Sequence, residues 1–185
     1  LLATTRAVVA AGSASQTVAC AGGGTAVFTV TGGSLASVTN GQLDAGEVYD
    51  VTYTNCTGAA GAAALDGSAT LTVVSASGGT TQVNTATQDL RIALPLRTLT
   101  VNGSSTLTET IVDNGGGVVV TTHRWTSPQI VVSSVRNART STFTFTNVDQ
   151  TRSFTTTGGV VSARSRSGTV TIDAQLPNGR WTVTT

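Results

Sequence analysis

Residues able to do chemistry are sparse in this sequence. The only histidine, His123, lies two positions before Trp125 within the alternating stretch 118–126. Nucleophilic catalysis needs a serine or cysteine activated by a base, with an acid orienting that base. No G-x-S-x-G segment is present, and the absence of lysine excludes a Ser–Lys pair. A lone imidazole is also weak support for a transition-metal site. His123 is therefore read as structural. No catalytic, cofactor-binding or metal residue is assigned, and the chain is not expected to be an enzyme.

The densest acidic group is Asp44, Glu47 and Asp50. A two-carboxylate hydrolase needs its acids facing each other across a cleft, whereas residues three apart on a strand point to opposite faces. A calcium loop needs several oxygen ligands at alternate positions, often ending in a bidentate glutamate, and residues 40–44 (Asn-Gly-Gln-Leu-Asp) supply a poor version. These acids are expected to be solvated residues where a strand begins. Arg164 and Arg166 share a strand face, with Arg136 and Arg139 upstream; they suit an acidic glycan or phosphate, although strand arginines also keep sheet edges soluble. Trp125 and Trp181 could stack on sugars, but core packing is the expectation. Asn55-Cys56-Thr57 and Asn102-Gly103-Ser104 match the short N-glycosylation pattern.

The rest of the chain must be a scaffold of strands. Of 185 residues, 37 are threonine and 21 glycine, and all ten basic residues are arginine. Threonine is β-branched and suits a pleated strand. Charged residues make up only 10% and the net charge is +1, which gives no electrostatic case for nucleic acid or an anionic membrane. No apolar run approaches the length of a membrane helix. Three prolines and regular apolar alternation argue against disorder. Cys20 and Cys56, the only cysteines, are free thiols or one bridge; in a lysine-free, threonine-rich chain that opens at Leu1 without Met, a disulfide formed after export is expected. A signal peptide is expected to have been cleaved. The 17–20 segment loosely resembles a lipoprotein cleavage box, but residues 1–19 precede Cys20, so lipidation is not expected.

Strand patterns recur every eight to twelve residues, the rhythm of a sandwich or barrel. They occupy 25–31, 47–54, 68–75, 80–87, 89–94, 97–101, 104–112, 118–126, 129–135, 140–147, 151–157, 160–165, 169–174 and 180–185. Turns are read at Gly78-Gly79, Asn102-Gly103, 113–117, Gly158-Gly159, Ser167-Gly168 and 177–179. In 140–147, Phe143 and Phe145 share a face and Thr142, Thr144 and Thr146 take the other. The expected fold is all-β: an antiparallel β-sandwich, Ig-like, pilin-like or jelly-roll-like, of about a dozen strands with one disulfide. Its domains are an N-terminal extension over 1–19 and a single β domain over 20–185. Read as a strand, the extension places Leu1, Ala3, Thr5, Ala7, Val9 and Ala11 on one face, and all but Thr5 are apolar.

An alternating extension, a cysteine at Cys20 and a second at Cys56 after the strand-like segment 49–55 resemble the layout of donor-strand pilus subunits such as chaperone–usher fimbrial pilins. The wording of 20–25 (Cys-Ala-Gly-Gly-Gly-Thr), 43–47 (Leu-Asp-Ala-Gly-Glu) and 54–56 (Thr-Asn-Cys) is similar to uncharacterised exported β-rich proteins of proteobacteria. The pilin resemblance implies an extracellular structural subunit. It would polymerise with copies of itself by donating the segment carrying Leu1 to Ala11, without a cofactor. The alternative is a monomeric secreted or cell-surface adhesion module that takes surface glycans. The chain departs from pilins at its end, where 180–185 (Arg-Trp-Thr-Val-Thr-Thr) lacks a penultimate tyrosine.

Overall fold

Period-two alternation commits each segment to a strand with one apolar and one polar face. The computed structural model describes residues 15–34, 37, 40–58, 61 and 63–185. They form ten strands: β1 Ser15–Ala19, β2 Thr25–Gly32, β3 Val48–Thr57, β4 Ala64–Ser77, β5 Thr80–Leu94, β6 Arg97–Asp113, β7 Val118–Arg136, β8 Arg139–Thr157, β9 Val160–Leu176 and β10 Gly179–Thr184. Every pairing is antiparallel, and the order across the sheet is the order in the chain.

The all-β, antiparallel expectation holds. The strand count changes from about a dozen to ten, and one hydrogen-bonded sheet joins all of them instead of dividing them between two. The count differs because breaks read as turns lie inside long strands. Asn102-Gly103 falls mid-way along β6 and Ser167-Gly168 mid-way along β9, while 80–94, 118–136 and 139–157 are each one strand.

These interruptions line up. Asn55 in β3, Asp89 in β5 and Asn147 in β8 have φ of +46°, +51° and +51°, and they alternate with Gly67 in β4 (+107°), Gly103 in β6 (+141°) and Gly168 in β9 (+144°). The register slips at this line between β3 and β4, β4 and β5, β5 and β6, β6 and β7, and β8 and β9. Pro128 and Asn147 drop out of the β7–β8 register at the same level. An extra residue in one strand reverses its alternation, as in a β-bulge. The reversal matches the sequence: β8 runs Phe143, Phe145, then Val148, and β5 runs Val83, then Leu90 and Ile92. The apolar side chains thus stay on one face across a seam that traverses the sheet.

Opposite each bulge a glycine admits the neighbouring backbone. A Cβ on Gly103 would lie 2.6 Å from the Gln129 carbonyl oxygen, and one on Gly67 would lie 3.1 Å from that of Asp89. Side chains next to these glycines satisfy the bulge amides. Asp66 Oδ1 accepts from the Asn55 N–H at 2.8 Å, and Asn102 Oδ1 accepts from the Asp89 N–H at 2.6 Å.

The buried core lies over β2–β5. Phe28, Val51 and Ala26 form one group; Tyr49, Leu71, Val73, Val83 and the loop residue Leu43 form another. Each large apolar side chain buried contributes about 1.5–3 kcal/mol. The loop before β3 closes over this face. Its Leu43 packs on Tyr49, Leu71, Val73 and Val83, while at its base the Gly46 N–H donates to the Val73 carbonyl at 2.8 Å and the Val73 N–H to the Glu47 carbonyl at 2.9 Å, extending the β3–β4 ladder. Cys20 and Cys56 are disulfide-bonded with a Cα–Cα distance of 5.3 Å, tying the β1–β2 turn to the end of β3. Of the extension, residues 15–19 are β1, paired with β2. The candidate arm residues Leu1, Ala3, Thr5, Ala7, Val9 and Ala11 lie outside the described residues.

Candidate functional site

Each residue singled out in the sequence can now be placed. Glu47 was expected to be solvated and is fully buried. Its Oε2 accepts from the Tyr49 hydroxyl at 2.6 Å and from the Asp44 N–H at 3.0 Å. Burial first, and the bond to Glu47 second, push the Tyr49 hydroxyl far above its ordinary pKa. The hydroxyl therefore stays protonated and remains a donor. Asp50 points to the opposite face and accepts from the Thr70 hydroxyl at 2.6 Å. Among the described residues no three His, Cys, Asp or Glu side chains gather where a metal could be held. The loop carboxylate is a structural clasp.

Trp125 and Trp181 were expected in the core and are 37% and 43% exposed. They lie on the apolar face, where among the described residues no loop packs over β6–β10 as Leu43 does over β3–β5. Val101, Ile130, Val132, Phe145 and Val148 of that face line a cavity of about 830 Å³, which reaches Trp125 and Gly168. This shallow apolar trough straddles the seam.

Its ends are basic. Arg97, Arg136 and Arg139 gather at one end near Phe143. At the other, Arg152 pairs across strands with Arg166, and Phe154 with Arg164. Six of the ten arginines thus share the apolar face, and the register draws them from four strands. The carboxylates of β8 and β9 on the opposite face are neutralised there. Asp149 accepts bidentately from Arg124, at 2.9 and 2.6 Å, and Asp173 is gripped by Arg180. Hydrogen bonds from these guanidinium groups hold both carboxyls below the usual carboxylate range, partly offset by desolvation.

His123 Nε2 lies 2.9 Å from Glu109 Oε2 across the β6–β7 ladder, and its ring meets Phe154 edge-on with centroids 5.9 Å apart. Asn55 and Asn102, the two asparagines of the glycosylation pattern, sit at the seam.

The sheet is open. β10 pairs with residues 171–176 of β9, and Thr185 continues the ladder as far as Val170. On the side of residues 160–167 of β9 away from β8 no strand is paired among the described residues, and all eight are exposed. This free edge runs into the trough at Gly168, which lines it with Val170 and Trp125 and where a Cβ would collide with the Asp149 carbonyl oxygen. Sequence reading missed the edge because Ser167-Gly168 was taken for a turn. No helix among the described residues is long and apolar enough to cross a membrane. No family model, curated protein or solved structure matches this chain.

Proposed function

We propose that this protein is an extracellular structural subunit that assembles into a filament, its N-terminal segment adding a strand to the sheet of a neighbouring copy. The observation that carries this reading is the outer edge of β9 over residues 160–167, which among the described residues pairs with no strand, beside an apolar trough. An exposed edge presents a row of backbone donors and acceptors, and extended segments add to such edges through the same ladder bonds that build a sheet. The first twelve residues have the required alternation, with Leu1, Ala3, Ala7, Val9 and Ala11 on one side. The role is mechanical, with no reaction and no cofactor.

Negative-stain imaging and size-exclusion chromatography of the full chain, and of a chain lacking residues 1–12, test the proposal. Filaments are expected from the full chain and monomers from the deletion, with a synthetic peptide of residues 1–12 binding the deletion one to one. A full chain that stays monomeric, or a deletion that still polymerises, would refute it.

A further inference from the structure

A polar stripe crosses the apolar face where alternation predicts more core. Thr81 of β5, Glu109 of β6, His123 of β7, Arg152 of β8 and Arg166 of β9 stand in cross-strand register. The next row toward the seam is Val83, Leu107, Trp125, Gln150 and Gly168, in the same strand order. Edge protection explains Arg164 and Arg166 on β9 but does not explain Arg152, one strand inward. Arg152 faces Arg166 directly, an arrangement of like charges that destabilises a ladder. Among the described residues the arginine ion pairs are those of Arg124 and Arg180, so neither Arg152 nor Arg166 has a carboxylate partner. Arg166 Nη2 reaches only the Gln150 side-chain oxygen, at 3.4 Å. The stripe and its neighbouring row enclose a cavity of about 340 Å³ lined by Leu107, His123, Trp125, Gln150, Arg152 and Arg166.

We propose that this cavity binds an acidic glycan through a uronate ring. The exposed indole of Trp125 takes the apolar face of the pyranose, as aromatic side chains with one accessible face do. Arg152 and Arg166 take its carboxylate, the fork geometry for which guanidinium is suited, and this anion relieves their mutual repulsion. Trp125 and His123 are two residues apart on β7, about 6.6 Å along the strand. A ring on the indole therefore brings its carboxylate to the arginine row. Gln150 supplies polar contacts for ring hydroxyls. A polyphosphate or nucleic acid is disfavoured because the chain carries a net charge of only +1 and the six arginines of this face fall in two groups separated by the apolar trough. The inference is independent of filament assembly, because the ligand lies on the face of the sheet and the added strand in its plane.

Isothermal titration of the full chain with tetragalacturonate, maltotetraose, tripolyphosphate and a decathymidylate strand tests it, with thermal melts confirming that each variant is folded. Binding is expected for tetragalacturonate, at least tenfold weaker for the uncharged maltotetraose, and at least tenfold weaker for tetragalacturonate in R152Q/R166Q or in W125A. R97Q/R136Q, at the other end of the trough, is expected to bind within twofold of the natural chain. The chain lacking residues 1–12 should bind equally well whether or not filaments form. No binding of tetragalacturonate, undiminished binding by R152Q/R166Q, or equal affinity for tripolyphosphate or decathymidylate would overturn the proposal.

Discussion

Replacing Gly103 with alanine tests the seam. Gly103 lies in β6, between β5 and β7, with φ at +141°, a conformation that strains any residue with a Cβ by about 1–3 kcal/mol. The added methyl would lie 2.6 Å from the Gln129 carbonyl oxygen and 3.0 Å from Ile130 Cα. Both are backbone atoms of a paired strand, so relief requires the ladder to move. Strain and displacement together should cost about 2–4 kcal/mol. With a urea m-value of about 2 kcal/mol/M for a domain of this size, the unfolding midpoint should fall by about 1–2 M. Gly116 is the control. It has φ of +61° in the β6–β7 turn, and a Cβ there meets nothing within 4 Å. G116A should therefore cost only the left-handed penalty of about 1–2 kcal/mol. Urea titrations followed by circular dichroism compare the two. If G103A is no more destabilised than G116A, the close approach of strands at the seam is wrong.

Three further outcomes follow from the same structure. Closing the loop between Cys20 and Cys56, 36 residues apart, contributes about 4 kcal/mol by chain entropy. C20S/C56S should lose stability of that order in urea, and a reducing agent should lower the natural protein to the same level. N102A removes the acceptor for the Asp89 amide at 2.6 Å and should cost about 1 kcal/mol. A loss comparable to G103A would show that Asn102 does more than receive that bond. Asp149 and Asp173 have folded-state pKa values lowered by Arg124 and Arg180. Their stabilisation is present above the unfolded carboxylate pKa of about 3.9 and disappears as pH falls through the lower folded values. R124Q should therefore lose less stability than the natural chain between pH 5 and pH 2, a small difference that salt diminishes; parallel pH curves would contradict it.

Much of the sheet was legible because its signals are local. Phe143 and Phe145 against Thr142 and Thr144 fixed a strand and its faces, and Gly78-Gly79 and Gly158-Gly159 marked real turns. Asn102-Gly103 misled because a hairpin and a bulge partner ask the same of that dipeptide: a side-chain acceptor followed by a positive φ. The deciding residue is Asp89, on another strand. One local clue was present, since Leu99, Val101, Leu107 and Ile111 keep a single parity across Gly103, which a two-residue turn would have reversed. Arg152 and Arg166 are fourteen positions apart, and only the register brings them opposite each other. The exposure of Trp125 and Trp181 was equally hidden, because alternation tells which face a residue takes and not how much of that face is covered. Glu47 looked solvated because its burial depends on the loop closing over Tyr49.

Among the described residues every strand of this sheet pairs only with those immediately before and after it in the chain. No segment must wait for a distant one, so the sheet can form progressively from the first hairpin as the polypeptide lengthens, and loop-closure entropy is met in small steps. Such an arrangement behaves more like a row of dominoes than a knot of interlocking parts: removing β10 should leave β9 as a new border without unravelling what precedes it, as in modular proteins whose units touch only their neighbours.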